Sequence, residues 1–388
     1  MAAVALPQSR RSNISPFYVM EVMRAASERE AAGGEVLHLE VGQPSTPAPA
    51  GVITAARAAL SSDVLGYTTA AGLEVLRRRI SEHYRSWYGA DVDPGRIVVT
   101  LGASGAFVLS FLAAFDAGDR VVVSTPGYPC YRNALQALNA QVVTLPTSAE
   151  TRFQPSPDLL EELVRRTGSV DGLVLASPSN PSGTMLDGPS LAAVSDWCIA
   201  NGVRLVADEI YHGITFGDPT PTALSLNRDA LVVNSFSKYF SMTGWRLGWV
   251  VAPDDLVEPV RRLAQNFFIS APTLSQMAAV AAFDCHEELQ ANVARYAVNR
   301  AVLTDGLPEA GIDRLAPSDG AFYVYAAVDH LAADSQELCR RWLDELGVAV
   351  TPGIDFDPAE GHRYARFSYA GATSDMAEAM RRLRHWKP

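Results

Sequence analysis

Lys238 lies in a segment whose residue types could bind an anion and attack a carbonyl carbon. Residues 235–249 read SFSKYFSMTGWRLGW and follow the apolar run LVVN, with Ser237 directly before the lysine and Arg246 eight residues after it. A lysine amine is a nucleophile toward carbonyl compounds, while hydroxyl groups and a guanidinium bind phosphate. The segment therefore suits a covalently held, phosphorylated aldehyde. Most single lysines are solvated surface amines, so a reactive role for this lysine has to be supported by other residues of the chain.

Two further segments combine a strand-like run with groups that bind charged ligands. Residues 102–105, GASG, follow the run IVVT and open a helical stretch, so that the backbone amides of Ala103 and Ser104 could hold a phosphate. An ordinary strand-to-helix turn has the same pattern. Asp208 ends the run VRLVAD, where a buried carboxylate needs a cationic partner such as a protonated pyridine nitrogen. Its alternative role is to cap the helix that follows.

Four side chains outside these segments could contact a flat, anionic ligand. Tyr211, three residues after Asp208, and Asn180, in the loop PSNPSG, could each donate a hydrogen bond to a phenolic oxygen. Tyr128, in PGYPCY, could stack on a ring. Arg366, in RFSYAG, could pair with a carboxylate through two hydrogen bonds. Taken singly, packing, a turn or a surface salt bridge is the more common role for such residues.

Missing motifs and the overall composition disfavour several classes of protein. No GxGxxG, GxxxxGK[ST], HExxH or GxSxG motif occurs, which argues against NAD, ATP, a metal site and a serine hydrolase triad. The net charge of −11 over 388 residues, with scattered basic residues, disfavours nucleic-acid binding. Four cysteines lie far apart, and the first residues lack the pattern of a cleaved signal, so we expect a reduced, cytoplasmic protein. Residues 97–115 carry no charge, but glycines divide them, so we expect no membrane-spanning segment.

Seven short, β-branched apolar runs in the middle of the chain predict strands separated by helical stretches. They are IVVT (97–100), RVVVS (120–124), QVVTL (141–145), GLVLAS (172–177), VRLVAD (203–208), LVVNS (231–235) and GWVVA (248–252). Continuous apolar strands are typical of a mainly parallel sheet with helices on both faces. Ligands of such sheets bind at the carboxyl ends of the strands, where Asn180, Asp208 and Lys238 are found.

A change of pattern near Cys285 predicts the domain organisation. Residues 45–285 should form a large α/β/α domain that binds the ligand. Residues 286–388 contain a long helical stretch (287–307) and the runs AFYVYAAV, LGVAVTPG and YARFSYAG, which predict a smaller α/β domain. Residues 1–44 should join this smaller domain in space.

Together these motifs resemble the class I aminotransferases, fold type I enzymes that use pyridoxal 5′-phosphate (PLP). The resemblance covers nearly the whole chain, in order: VGQP (41–44), GYTTAAGLEVLR (66–77), IVVTLGASGA (97–106), PGYPCY (126–131), SPSNPSG (177–183), DEIY (208–211), SFSKYFSMTGWRLGW (235–249) and RFSYAG (366–371). It implies the fold type I PLP-transferase architecture, a large α/β/α domain with a mainly parallel sheet plus a smaller α/β domain.

The resemblance also implies a role for each residue near the cofactor ring. Lys238 forms the Schiff base with PLP and then moves a proton between the substrate Cα and the C4′ carbon of the cofactor. Asp208 holds the proton on the pyridine nitrogen, and Asn180 and Tyr211 donate to the phenolic oxygen. Tyr128 stacks on the ring.

The two anionic groups are assigned by the same resemblance. The phosphate is bound by Ala103, Ser104, Ser235, Ser237 and Arg246, together with the partner subunit's Tyr67. The α-carboxylate of the substrate is held by Arg366 and the Gly42 backbone, with Asn180 beside them. A site shared in this way implies a homodimer.

The resemblance leaves the substrate and the reaction type open. Relatives that prefer aspartate place a cation near the Phe107 position or an arginine of the partner near residues 266–272, whereas this chain has phenylalanines at 107, 267 and 268. We therefore expect ping-pong transfer of the amino group of a neutral or aromatic α-amino acid to a 2-oxo acid, with the substrate side chain near Phe107 and residues 267–269. A β-lyase or a cyclising enzyme would use the same residues, and a non-catalytic PLP-binding regulatory protein is an alternative of another class.

Overall fold

Two β-sheets flanked by helices make up the computed structural model, which describes Leu6 and residues 8–387. The strands within these residues are β1 (Leu37–Leu39), β2 (Ile97–Thr100), β3 (Arg120–Thr125), β4 (Gln141–Pro146), β5 (Gly172–Ala176), β6 (Arg204–Asp208), β7 (Leu231–Ser235), β8 (Gly248–Val251), β9 (Tyr323–Ala327), β10 (Val348–Pro352) and β11 (Tyr364–Ser368). The α-helices in the same part of the chain are α1 (Tyr18–Ala31), α2 (Ala50–Ser62), α3 (Glu74–Tyr88), α4 (Gly102–Ala114), α5 (Pro129–Ala137), α6 (Pro157–Thr167), α7 (Gly188–Asn201), α8 (Val257–Phe268), α9 (Thr273–Ala279), α10 (His286–Glu309), α11 (Ser335–Arg341) and α12 (Thr373–His385).

The larger sheet has the strand order β2-β8-β7-β6-β5-β3-β4. Every pairing in it is parallel except the two made by β8, which runs antiparallel to β2 and β7. All residues of β2, β7 and β8 are buried, because helices cover both faces and leave no solvated side for polar residues. The mainly parallel sheet is thus confirmed, and each of the seven apolar runs forms a strand within one residue of its predicted bounds.

The carboxyl ends of neighbouring strands bring site residues to one edge of this sheet. β6 ends at Asp208, and β7 ends at Ser235, three residues before Lys238. Helix α4 begins at Gly102, directly after the turn that follows β2. Gly102 has a φ of +68°, and a Cβ atom there would lie 2.7 Å from Nη2 of Arg246, so glycine lets this helix start close to the arginine.

The smaller sheet has the order β1-β10-β11-β9 and includes a strand from the N-terminal segment. β1 pairs in parallel with β10, whereas β11 runs antiparallel to β10 and β9 on its two sides. Thr351 in β10 lies opposite Arg366 in β11. Arg366 therefore enters the site from the smaller sheet, whereas Lys238 and Asp208 come from the larger one.

Two predictions about long segments of the sequence can be compared with the helices. Helix α10 covers the helical stretch predicted for residues 287–307. The uncharged residues 97–115 divide at Gly102 into β2 and α4, as predicted. Across Leu6 and residues 8–387, no helix is long and apolar enough to span a membrane. The domain boundaries at residues 44 and 285 stay a prediction.

Leu173 in β5 allows a test of how tightly the larger sheet is packed. Its side chain is fully buried, and it lies opposite Val122 in β3 and Leu205 in β6. Leu173→Ala should leave a cavity and lower the free energy of unfolding by about 2–5 kcal/mol. The control Ile199→Ala removes a side chain of similar size that is 55% exposed on α7, and it should cost less than ~1 kcal/mol. Urea unfolding followed by circular dichroism measures both losses, and equal values would contradict the packing described.

Candidate active site

A cavity of about 310 Å³ lies at the carboxyl ends of β5, β6 and β7. All but two of the predicted site residues line it, namely Gly42, Ala103, Ser104, Tyr128, Asn180, Asp208, Tyr211, Ser237, Lys238, Arg246 and Arg366. The two that do not are Tyr67 and Ser235. Residues from both sheets and from the N-terminal segment therefore meet in one place.

The amine of Lys238 lies inside the cavity. Its Nζ donates a hydrogen bond to the carbonyl oxygen of Gly42 at 2.5 Å. Burial and, second, the nearby Arg366 guanidinium lower the pKa of Lys238 to about 8, although Asp208 acts in the opposite direction. A sizeable fraction of the amine is thus neutral near pH 8, and only the neutral amine attacks a carbonyl carbon. The chain contains one other lysine, Lys387, which is exposed near the C-terminus.

The carboxylate of Asp208 is buried and oriented by two donors. Its Oδ1 accepts from the backbone N–H of Ile210 at 3.0 Å, and its Oδ2 accepts from the hydroxyl group of Tyr131. Burial raises the pKa of Asp208 to about 6, against the lowering effect of these donors and of Lys238. The side chain is therefore largely ionised at neutral pH, and it lines the cavity where a cationic ring nitrogen could pair with it.

Two polar side chains near the lysine each have one contact already made. Oδ1 of Asn180 accepts from Nη1 of Arg366 at 2.9 Å, so Nδ2 of Asn180 is the donor that a ligand can use. The hydroxyl oxygens of Tyr211 and Tyr323 lie 2.8 Å apart. Burial raises the pKa of Tyr211 well above its usual value, which keeps this hydroxyl protonated and able to donate.

The lining of the cavity includes several groups that bind anions. The first turn of α4 places Ala103 and Ser104 there, where the backbone N–H groups of a helix start have no partner within the helix. Arg246 and Ser237 line the same cavity, and an arginine beside a helix N-terminus is an arrangement that binds phosphate. Ser235, which was predicted to bind the phosphate, lies behind Ser237 with the two hydroxyl oxygens 2.7 Å apart. Ser235 is therefore placed to orient Ser237.

The guanidinium group of Arg366 is held by several contacts, and not all of its N–H groups have an acceptor among the described residues. Its Nη2 donates to the carbonyl oxygen of Glu40 and, at 3.2 Å, to the hydroxyl of Thr351, and the ring of Tyr323 lies 4.4 Å from its central carbon. Within the described residues, Nε of Arg366 is buried without a hydrogen-bond partner. A buried N–H of this kind costs about 1–3 kcal/mol. Nη1, which donates to Asn180, has a second N–H that a ligand carboxylate could accept.

Three of the ligand contacts predicted from the sequence are not seen directly in the structure of a single chain. Gly42 uses its carbonyl oxygen to hold Lys238, and a Cβ atom at Gly42 would lie 1.8 Å from the Tyr323 hydroxyl oxygen. Tyr67 is 83% exposed and lies outside the cavity, so its predicted phosphate contact requires a partner subunit. Residues 267–269 lie at the exposed end of α8 and do not line the cavity of their own chain.

One wall of the cavity is apolar and comes largely from a segment that carries no sequence signal for a site. Phe17, Val19, Met20 and Met23, at the start of α1, line the cavity together with the predicted Phe107. Their spacing is typical of one face of a helix, but spacing alone does not say what that face contacts. The wall therefore appears only when the chain is folded.

Tyr131 and Tyr323 contact the site residues without having been predicted. Tyr131 follows Tyr128 by three residues in PGYPCY, a spacing that places both on one side of a helix start, so a signal for Tyr131 was present. Tyr323 lies in β9, where its burial looks like ordinary packing, and no pattern distinguishes it from the other residues of that strand.

Comparison with known proteins places the chain in a family. The family model for aminotransferase class I and II matches residues 34–383. Valine–pyruvate aminotransferase of Mycobacterium tuberculosis is 50% identical over 382 residues, which cover 97% of this chain and 98% of that protein. Aspartate/prephenate aminotransferase of Thermus thermophilus is 32% identical over 375 residues, or 95% of this chain and 96% of that protein. A crystal structure of an aminotransferase from Mycobacterium tuberculosis, 48% identical, has a TM-score of 0.96 and covers 99% of this chain and 100% of that chain.

The chain belongs to the class I and II aminotransferases. It is an enzyme that transfers the amino group of an amino acid to a 2-oxo acid. The family, the fold class and the enzyme class predicted from the sequence are thereby confirmed. The cavity of this enzyme is lined by an amine, a buried carboxylate and a guanidinium, from Lys238, Asp208 and Arg366.

The lowered pKa of Lys238 predicts the pH at which its amine reacts. In the apo-protein, labelling of Lys238 by trinitrobenzenesulfonate should increase with pH around a midpoint near 8, since only the neutral amine reacts. Peptide mapping separates this label from any on Lys387. Asp208→Asn removes a charge that raises the pKa of Lys238, so the midpoint should fall in that variant. A midpoint of about 10.4, that of a free lysine, would contradict the burial of the amine.

Tyr131 should set the pH range in which Asp208 is ionised. A hydroxyl that donates to a carboxylate favours its charged form, so Tyr131→Phe should raise the pKa of Asp208 above 6, by roughly one unit. Below that pKa the carboxyl is neutral and cannot pair with a protonated ring nitrogen. As pH falls, the affinity of the apo-protein for PLP should therefore decline at a higher pH in the variant than in the wild type.

Fluorescence titration with PLP at a series of pH values measures this shift. Tyr88→Phe is the control, because Tyr88 is a half-buried tyrosine whose hydroxyl contacts His212 at 2.9 Å and not Asp208. Superimposable profiles for Tyr131→Phe and the wild type would show that Tyr131 does not tune Asp208.

Proposed function

We propose that this enzyme binds pyridoxal 5′-phosphate in the cavity and acts as a homodimer that transfers the amino group of a neutral α-amino acid to a 2-oxo acid. The observation that carries the proposal is the meeting of the Lys238 amine, the Asp208 carboxylate and the Arg366 guanidinium in one buried cavity. Each of these charges is costly to bury without a partner, and the cofactor with its substrate supplies a partner for each.

The residues present fit the cofactor from one end to the other. The phosphate would be held by the backbone N–H groups of Ala103 and Ser104 at the helix start, by the hydroxyl of Ser237 and by the guanidinium of Arg246. Tyr128 would lie against the ring, and Asp208 would pair with the protonated ring nitrogen. Nδ2 of Asn180 and the hydroxyl of Tyr211 would donate to the phenolic oxygen.

The chemistry divides between the cofactor and the protein. When bound, PLP supplies the aldehyde that takes up the amino group and a ring that withdraws electrons from the substrate. Lys238, whose amine has a pKa near 8, would move the proton between the substrate Cα and the C4′ position of the cofactor. Asp208 would keep the ring nitrogen protonated, because its carboxylate is ionised at neutral pH and shielded from water. Arg366 fixes the substrate by its carboxylate.

The cavity favours a substrate whose side chain carries no charge. Phe17 and Val19 contribute to an apolar wall. Among the described residues that line the cavity, the cations are Lys238, Arg246 and Arg366, and each already has a role. A second substrate carboxylate would therefore be buried without a partner. The relative that is 50% identical is named for valine and pyruvate, which supports a neutral substrate.

Exposed apolar side chains support the homodimer. Val64 is 96% exposed and Tyr67 83% exposed, and Tyr67 borders a surface groove together with Val75 and Met277. A second copy seated on this groove would remove these side chains from water and would bring the partner subunit's Tyr67 toward the phosphate. Sedimentation velocity should show a dimer, and a fully active monomer would contradict the shared site.

A panel of amino acids with the PLP-loaded enzyme tests the proposed function. With pyruvate as acceptor, kcat/KM for valine, leucine or phenylalanine should exceed that for aspartate by at least ~tenfold, since the second carboxylate of aspartate lacks a partner. Chromatography of the 2-oxo acids formed measures each rate. Lys238→Ala, which removes the amine, is the control and should show no turnover.

Each contrary outcome of the panel points to a specific error. If aspartate is the best substrate, the proposed substrate class is wrong. If ammonia accumulates in place of alanine, the reaction is that of a lyase and not amino transfer.

A further inference from the structure

Helix α1 begins without a capping side chain of its own. Its N-cap residue is Phe17, which makes no side-chain hydrogen bond and has no group that could accept one. The backbone N–H groups of the first turn of a helix need partners from elsewhere. Asp355, distant in sequence, provides them: Oδ1 accepts from the N–H of Tyr18 at 3.1 Å and Oδ2 accepts from the N–H of Val19 at 3.3 Å.

The turn that Asp355 holds is also a wall of the active-site cavity. Phe17, Val19 and Met20 line the cavity, and the ring of Phe17 lies edge-on to the ring of Tyr128 with 5.8 Å between centroids. The side chain of Tyr18 does not line it. Any shift of the helix start therefore moves the apolar wall relative to the other cavity residues.

The segment that carries Asp355 is in contact with the substrate-carboxylate site. Asp355 ends a 3₁₀ turn, Gly353–Asp355, that directly follows β10. The next residue, Phe356, places its ring 4.7 Å from the central guanidinium carbon of Arg366. One turn of chain thus contacts the group proposed to bind the substrate carboxylate and the helix proposed to face the substrate side chain.

The same turn is attached to the larger sheet. Nη2 of Arg132 donates to the carbonyl oxygen of Asp355 at 2.6 Å, and the N–H of Gly127 donates to the carbonyl oxygen of Phe356 at 3.1 Å. Gly127 directly precedes Tyr128. These bonds leave the turn little freedom, so the position of the Asp355 carboxylate is well defined.

Burial gives the Asp355 carboxylate a reason to keep both contacts. The residue is 1% exposed, and an ionised carboxylate at such a place is costly unless donors satisfy it. Burial raises the pKa of Asp355, whereas the two backbone amides, Arg366 and Arg132 lower it. Loss of either N–H would leave a carboxylate oxygen without its donor.

From these contacts we infer that Asp355 is a positioning residue for substrate selection. By holding the first turn of α1, it fixes the distance between the apolar wall and Arg366, and that distance decides how well a long apolar side chain packs once the substrate carboxylate is bound. The inference rests on the proposed function, because it requires the substrate carboxylate to bind at Arg366.

Asp355→Asn tests the inference with little change of volume. An amide has a single acceptor oxygen, so one of the two N–H groups of α1 loses its partner. KM for leucine should rise at least ~tenfold, because its side chain reaches the wall, whereas KM for alanine should change less than ~threefold, because alanine has no atom beyond Cβ. The value of kcat should change less than ~threefold for both substrates. Equal increases in KM for the two amino acids would overturn the inference.

A matched pair at Tyr18 provides a second test that leaves Asp355 intact. Tyr18→Pro removes one N–H that Asp355 accepts, and proline is well tolerated at the first helical position. The preceding Phe17 has φ −89° and ψ 109°, an extended conformation that suits a residue before proline. Tyr18→Ala removes the side chain but keeps the N–H. Tyr18→Pro should raise KM for leucine selectively, whereas Tyr18→Ala should not. Identical kinetics of the two variants would overturn the inference.

Hydrogen exchange gives a measurement that does not depend on catalysis. Amide exchange in residues 19–24 should be faster in Asp355→Asn and in Tyr18→Pro than in the wild type, with exchange in α10 unchanged. Unchanged exchange in residues 19–24 would show that Asp355 does not hold α1. If the wild-type enzyme transfers no amino group in the amino-acid panel, the proposed function fails, while the exchange rates still decide whether Asp355 holds the helix.

Discussion

The burial of three charged side chains in one cavity sets the conditions that the rest of the structure has to meet. An ionised group in a protein interior costs several kcal/mol unless it is paired or hydrogen-bonded. Here Lys238 donates to the Gly42 carbonyl oxygen, Asp208 accepts from Ile210 and Tyr131, and Arg366 donates to backbone and side-chain oxygens. These contacts hold the charged groups in place but leave part of their capacity for hydrogen bonds and ion pairs unused. A ligand can form the remaining hydrogen bonds and ion pairs.

The two sheets share the task of presenting these charges. Asp208 ends one parallel strand of the larger sheet and Lys238 follows another, whereas Arg366 belongs to a strand of the smaller sheet. Asn180 connects the two sheets. It lies in the loop that follows β5 of the larger sheet, and its Oδ1 accepts a hydrogen bond from Arg366 of the smaller sheet. The distance between the amine and the guanidinium is therefore a property of how the sheets pack, and not of either sheet alone. Substitutions far from the cavity that alter this packing should act on the site.

The sequence was informative where chemistry follows directly from local structure. Uninterrupted β-branched runs have few conformations other than a buried strand; Asp208 is the last residue of one such run, and Lys238 lies three residues after another. Ser235 shows the limit of that argument, because residue type and spacing do not reveal which of two neighbouring hydroxyls faces the ligand. The choice is made by the turn after β7.

Other parts of the site were beyond prediction because they depend on contacts between distant segments. The start of α1 reaches the cavity only through packing against elements near the other end of the chain, and Asp355 contacts it across that distance. Helical spacing identifies an apolar face but not its neighbour. Tyr67 is a further case, since a residue proposed to act in another copy has no visible role in its own chain.

The scarcity of lysine gives the buried amine few competitors. Of the 32 lysine and arginine residues, all but Lys238 and Lys387 are arginines. Aldehydes condense with primary amines, so each surface lysine would compete with Lys238 for a free aldehyde. A guanidinium stays protonated and does not condense with it. Arginine still supplies the surface ion pairs, as where Arg381 and Arg382 both contact Glu378. The chain thus keeps positive charges on its surface, while few primary amines other than the one inside the cavity can react with an aldehyde.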